Sequence, residues 1–99
     1  MTFVNEVSLS GRIKFGKMDE TKTGKKVFKG KIGFGNKEKG YQDISITGFG
    51  ATAQLLASLE AKKEPVTVNG FLKEERYTGK DGTVVSKTLV VVLDVSKVE

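Results

Sequence analysis

Cysteine, histidine and tryptophan are missing from this 99-residue chain, and proline occurs once, at Pro65. Without cysteine there are no disulfides and no thiolate metal sites. Without histidine the common zinc sites and the imidazole general base go as well. No apolar run approaches the roughly 20 residues that a membrane-crossing helix needs. The opening residues, MTFVNEVSLSGRIK, lack the basic start, apolar centre and small-residue cleavage site of a secretory signal. A cytoplasmic location is the economical expectation, with no membrane partner. Phosphate-loop spacing is absent too, and Gly30-x-x-Gly33-x-Gly35 is no dinucleotide fingerprint because no helix follows it. Asp19-Glu20 and Glu74-Glu75 are adjacent carboxylates, but neighbours on a strand point to opposite faces and make a poor acid–base pair or Mg²⁺ site. With no nucleophile–base constellation either, neither an enzyme nor a cofactor is expected.

What the chain does have is lysine, unevenly spread. Net charge is +5. Between Arg12 and Lys39 ten basic residues oppose three acidic ones, Asp19, Glu20 and Glu38, which puts that span at +7 and the remainder at −2. Such asymmetry fits a polyanion, nucleic acid ahead of an anionic membrane surface, although a lysine-rich coat that only keeps a small protein soluble fits it equally well.

Period-two patterning dominates the rest. Phe3–Phe15 reads as a strand with Val7, Leu9, Ile13 and Phe15 on one face and Glu6, Ser8, Ser10, Arg12 and Lys14 on the other. Gly11 inside it marks a bend of the kind a strand shared by two parts of a barrel needs. Gly16–Gly24 is a polar loop. Val27–Asn36 and Tyr41–Phe49 form a hairpin around the turn Asn36–Gly40. Phe28, Ile32 and Phe34 face one way with Ile44 and Ile46, while Lys29 and Lys31 share the wet face with Tyr41, Asp43, Ser45 and Thr47. The period then changes. Ala51–Lys62 is rich in helix formers, with Leu55, Leu56, Leu59 and Thr52 at the spacing of one apolar face, and Pro65 ends it. Val66–Tyr77 alternates again, Thr78–Thr83 is a turn-rich loop with Asp81-Gly82, and Val84–Val95 closes the chain. Its run Leu89–Leu93 predicts burial on both faces, or a second face against another subunit.

Three strands, one helix and two strands is the connectivity of an all-β, five-stranded Greek-key barrel of the OB-fold type, with its helix between strands 3 and 4. A chain of this length holds one such domain, residues 1–99. That fold binds oligonucleotides or oligosaccharides on its strand 2–3 face and its 1–2 and 4–5 loops. Here those parts are the lysine hairpin, Gly16–Gly24 and Thr78–Thr83. On the wet faces Lys29, Lys31 and Tyr41 lead as nucleic-acid contacts, with Arg12, Lys14, Phe49 and Phe71 behind them. Phe15, Phe28 and Phe34 fall on the apolar side and are expected in the core.

Particular motifs add a resemblance. Asn5–Ile13 (NEVSLSGRI), Ile46–Phe49 (ITGF) before an Ala/Leu helix, Val66–Leu72 (VTVNGFL), and Tyr77–Gly82 (YTGKDG) before a Val-rich closing strand follow one another in order. Together they resemble the bacterial and phage single-stranded DNA-binding proteins, over essentially the whole chain. The resemblance implies base stacking on aromatics and phosphate neutralisation by basic side chains. It matches Tyr41 and Tyr77 to aromatic positions, Lys73 and Arg76 to basic positions, and Lys29 and Lys31 to outward positions. Thr47 stands where the family often has Phe, and no tryptophan is present, so stacking would rest on Tyr and Phe. The acidic tail ending in Pro-Phe, by which many of these proteins recruit replication enzymes, is not in this sequence, which suggests a truncated or tailless form. Small size and lysine richness suggest a phage or mobile-element protein. The implied function is sequence-nonspecific coating of single-stranded DNA in replication, recombination and repair. The implied partners are single-stranded DNA, a homo-oligomer (dimer or tetramer), and replication or recombination proteins. A primosomal or RNA-binding OB protein, or an OB-fold adaptor that binds only protein, are the alternatives.

Overall fold

Alternation of apolar and polar residues becomes five strands in the computed structural model, which describes residues 2–98. They are β1 (Val7–Glu20), β2 (Lys26–Asn36), β3 (Gly40–Phe49), β4 (Val66–Thr78) and β5 (Val84–Lys97), with helix α1 (Ala51–Lys62) between β3 and β4. They close in the order β1-β2-β3-β5-β4, the arrangement of an OB-fold. All neighbours are antiparallel except β3 and β5, which run parallel. Among the described residues no helix is long and apolar enough to cross a membrane.

β1 serves two parts of the barrel, as its glycine predicts. Through Gly11 it pairs with β4, and from Arg12 onward with β2. The backbones come so close at the changeover that a Cβ on Gly11 would stand 1.9 Å from the Gly33 carbonyl oxygen. Residues 2–6 are not part of a strand, and Phe3 is exposed, contrary to the expected strand start. Asn5 nonetheless extends the ladder with its side chain. Its Nδ2 donates to the Leu72 carbonyl at 2.9 Å, and its Oδ1 accepts from the Leu72 N–H at 2.9 Å.

The inner face is apolar. Ile13, Phe28, Ile32, Ile46, Val66, Val68, Val90 and Val92 pack together with Ala53, Leu56 and Leu59 of α1. Each of the larger side chains, fully buried, stabilises the fold by about 1.5–3 kcal/mol. Phe34 is half-buried against the same cluster. On α1 the buried trio is Ala53, Leu56 and Leu59, whereas Leu55, expected on that face, is 45% exposed. Successive residues on a helix lie about 100° apart, so only one of two adjacent leucines can point into the barrel. The helix ends at Lys62, and Lys63 turns left-handed (φ 56°) with its N–H donating to the Glu60 carbonyl.

The first expected loop is largely strand. β1 runs on to Glu20, and the connection shrinks to residues 21–25. What makes this possible is a bulge. Lys14 pairs with Lys31, but the next pair is Lys17 with Lys29, so three steps on β1 match two on β2. Past the bulge the facing reverses, and even-numbered Met18 now pairs with core Phe28. Phe15, expected in the core, sits in the bulge at φ 57° and is 75% exposed. Left-handed backbone costs a non-glycine residue about 1–3 kcal/mol, so the surroundings must hold it. Gly16 does so. Its N–H donates to Glu60 Oε2 at 2.6 Å, and a Cβ there would stand 2.3 Å from Phe28 Cζ.

A second bulge shapes β5. Asn69 pairs with Asp94 and Gly70 with Val92, which leaves Leu93 over and 65% exposed. Leu89 through Val92 are buried on both faces within the single chain, as the unbroken apolar run predicts. Leu93 departs from that expectation because the bulge turns it outward. Leu72, expected inward with Val66 and Val68, is also exposed.

Candidate functional site

Strand register sets the outer face. One row across the sheet is Lys17, Lys29, Thr47, Val91 and Phe71, each opposite the next, and the row beside it is Lys14, Lys31, Ser45, Leu89 and Lys73. The pairing brings Lys14, Lys29, Lys31, Thr47, Phe71 and Lys73 onto one continuous surface. Leu89 and Val91 form its buried apolar floor. On β3, small Ser45 and Thr47 stand opposite Lys31 and Lys29.

Lysine faces lysine twice, Lys14 opposite Lys31 and Lys17 opposite Lys29. Like charges directly across an antiparallel pair destabilise it. Asp43 relieves the first pair. Its Oδ2 lies 3.1 Å from Lys14 Nζ and its Oδ1 3.7 Å from Lys31 Nζ. The Lys14 hydrogen bond, with the charges of Lys14 and Lys31, holds the Asp43 carboxyl below its ordinary value against the opposing effect of desolvation. Among the described residues no carboxylate bridges Lys17 or Lys29.

The remaining expected residues divide. Tyr41 stands opposite Gly35 at the far end of the hairpin, exposed, beside a depression that Arg12 and Lys14 also line. Arg12 itself is turned toward the helix, its Nη1 donating to the Lys63 carbonyl at 2.7 Å. A cation there complements the negative end of the helix dipole. Phe49 is part-exposed opposite Val27, with Lys25 Nζ 5.4 Å from its ring centre. Phe71 is half-buried. Tyr77 is exposed on the same face as Lys73, toward the tip of the β4–β5 hairpin. Arg76 is not brought to that face. It is one residue from Tyr77 on a strand and therefore points the other way, and its Nε is held by Glu74 Oε1 at 2.8 Å. At the hairpin tip the Asp81 carboxylate accepts from the Thr83 N–H at 3.0 Å, and that bond lowers its pKa.

One residue of this face was not expected there. Phe15 lines the depression between β1, β2 and β3 with Lys17, Lys29 and Lys31, and Lys14 Nζ lies 5.6 Å from its ring centre. The sequence carries the signal. Apolar positions are odd at Val7, Leu9 and Ile13, then even at Met18, a change of parity that matches the register shift between Lys14 and Lys17. Lys87 and Glu75, directly opposite each other on β5 and β4, border the same depression.

Among the described residues no three His, Cys, Asp or Glu side chains gather as a metal site would need. The chain matches no known protein-family model, and no curated protein matches it significantly.

Proposed function

We propose that this protein binds single-stranded DNA without sequence preference, coating strands exposed during replication, recombination or repair. The observation that carries this reading is the doubled lysine pairing, Lys14 opposite Lys31 and Lys17 opposite Lys29. Repulsion across a sheet is unfavourable in the free protein and is offset once a polyanion lies along it and attracts both charges. Exposed aromatic rings beside the lysines fit a strand whose base faces are open rather than a duplex whose bases are stacked. Lack of sequence preference follows from the chemistry, because phosphates and ring faces are common to all nucleotides.

The test is a titration of fluorescently labelled oligo-dT followed by anisotropy, with single-stranded RNA and duplex DNA beside it. Oligo-dT binds at low salt. Its log affinity falls linearly with log salt at a slope of about −0.7 for each phosphate neutralised on a single strand. Four engaged lysines give about −3. Binding of duplex as tight as that of oligo-dT, or affinity indifferent to salt, refutes the reading. Tighter binding of the RNA moves the ligand from DNA to RNA.

A further inference from the structure

We propose that the lysine face holds two adjacent nucleotide subsites, with Phe15 as the base-stacking platform of the first and Phe49 that of the second. The inference rests on the single-strand reading and deepens it. Phe15 is the residue that argues for it. Its ring is exposed although its backbone is held in a conformation that L-residues avoid. Packing does not account for this, since the ring gains little burial. The bulge that turns it outward is itself braced from the core side, by Glu60 on the Gly16 N–H and by the Phe28 ring against Gly16. A fold that fixes an apolar ring outward, over lysines, presents it to a ligand with a flat apolar face and a negative charge.

Phe49 repeats the arrangement two residues further along the sheet. Thr47 and Phe49 both point outward on β3, about 7 Å apart along the strand. Each ring has its own ammonium group, Lys14 at 5.6 Å from Phe15 and Lys25 at 5.4 Å from Phe49. Each borders its own open depression, of about 300 Å³ beside Phe15 and about 220 Å³ beside Phe49. Lys29, Thr47 and Glu75 line both depressions. Lys29 and Thr47 are a cross-strand pair and form the divider. One base stacks on Phe15, the next on Phe49, and the phosphate between them meets Lys29. Thr47 is small enough to let the backbone pass. Glu75 faces the same path and opposes a phosphate there.

The absence of tryptophan from the chain makes the test clean. Phe15→Trp introduces the sole indole, on an exposed ring position, and its emission reports stacking. Oligo-dT is titrated against an abasic oligomer of equal length, with anisotropy of the labelled strand recorded in parallel. Oligo-dT quenches the indole and the abasic strand does not. Phe15→Ala weakens oligo-dT binding about tenfold, and Phe49→Ala does so by a similar factor, while both leave abasic binding unchanged. Melting curves confirm that the variants fold. Unchanged emission while anisotropy reports bound oligo-dT overturns the inference alone, as does an equal loss of both ligands in Phe15→Ala. No anisotropy change with the wild-type protein overturns the single-strand reading and this inference with it.

Discussion

Two outer faces of one barrel differ sharply in chemistry. Over β1 and β4 the outward residues are Ser8 opposite Asn69 and Ser10 opposite Thr67, with the Ser10 and Thr67 hydroxyls 2.8 Å apart. Over β1, β2 and β3 they are Lys14, Lys17, Lys29 and Lys31, with Phe15 among them. Both faces cover the same apolar interior and both are wet. The serine face shows that short neutral side chains are enough to solvate this barrel. Four of the lysines cluster where they face one another while another face of the same sheet goes without, an arrangement that the proposed binding of a polyanion would use. Solubility alone would favour spreading them.

The comparison breaks most decisively at Lys29 and Lys31. Changing both to Glu lowers oligo-dT affinity at low salt by about 100-fold or more, and flattens the log–log salt slope by about 1.4, the share of two phosphate contacts. Anisotropy measures both. Unaltered oligo-dT binding would instead mark the face as a solvated surface or a protein-binding one. A subtler change sharpens the contrast. Asp43→Asn frees Lys14 and Lys31 from their shared carboxylate and raises oligo-dT affinity about threefold, a gain that salt screens.

Acid should mimic this in the native protein. The Asp43 pKa is lowered by Lys14 first and Lys31 second. Its ion pairs therefore favour the folded state above the ordinary carboxylate range and are lost as pH falls through the lowered native value. As pH falls through that lowered value, below the ordinary carboxylate range, wild-type affinity climbs toward that of Asp43→Asn, and the gap between the two proteins closes. The smallest effect belongs to the serine face. Ser8→Glu shifts oligo-dT affinity by less than about twofold at physiological salt, where charges screen over about 8 Å. A large loss there would erase the distinction between the two faces.

Much of this was legible without coordinates. The helix Ala51–Lys62 keeps the bounds its composition suggests, and the hairpin keeps its facing. Lys29 and Lys31 lie outward with Ser45 and Thr47, while Phe28, Ile32 and Ile46 lie inward. Gly11 marks the changeover of β1 from one partner to another. Counting odd and even along β1 puts Phe15 with Ile13, and the unbroken apolar run puts Leu93 with the buried valines; in each case a single extra residue at a bulge turns the side chain outward. Leu72 is a different case, because it keeps the parity of Val68 and pairs with core Val90 yet stays exposed. The resemblance matches Lys73 and Arg76 alike to basic positions, although their spacing of three on a strand already puts them on opposite faces.

Alternation is a property of neighbouring residues, dictated by backbone geometry, so the sequence alone determined that there are five strands, the helix between the third and fourth, and the two faces of the hairpin, but not the bounds of β1. It also determined that one face would carry lysine. Where each strand slips by a residue depends on a partner far along the chain. Glu60, 44 residues from Gly16, braces the bulge from the helix. Only the closed barrel could decide that Phe15 leaves the core, and that it stands beside Lys29 on the charged face. The choice of Leu56 over Leu55 was settled in the same way, by how the helix docks onto the barrel.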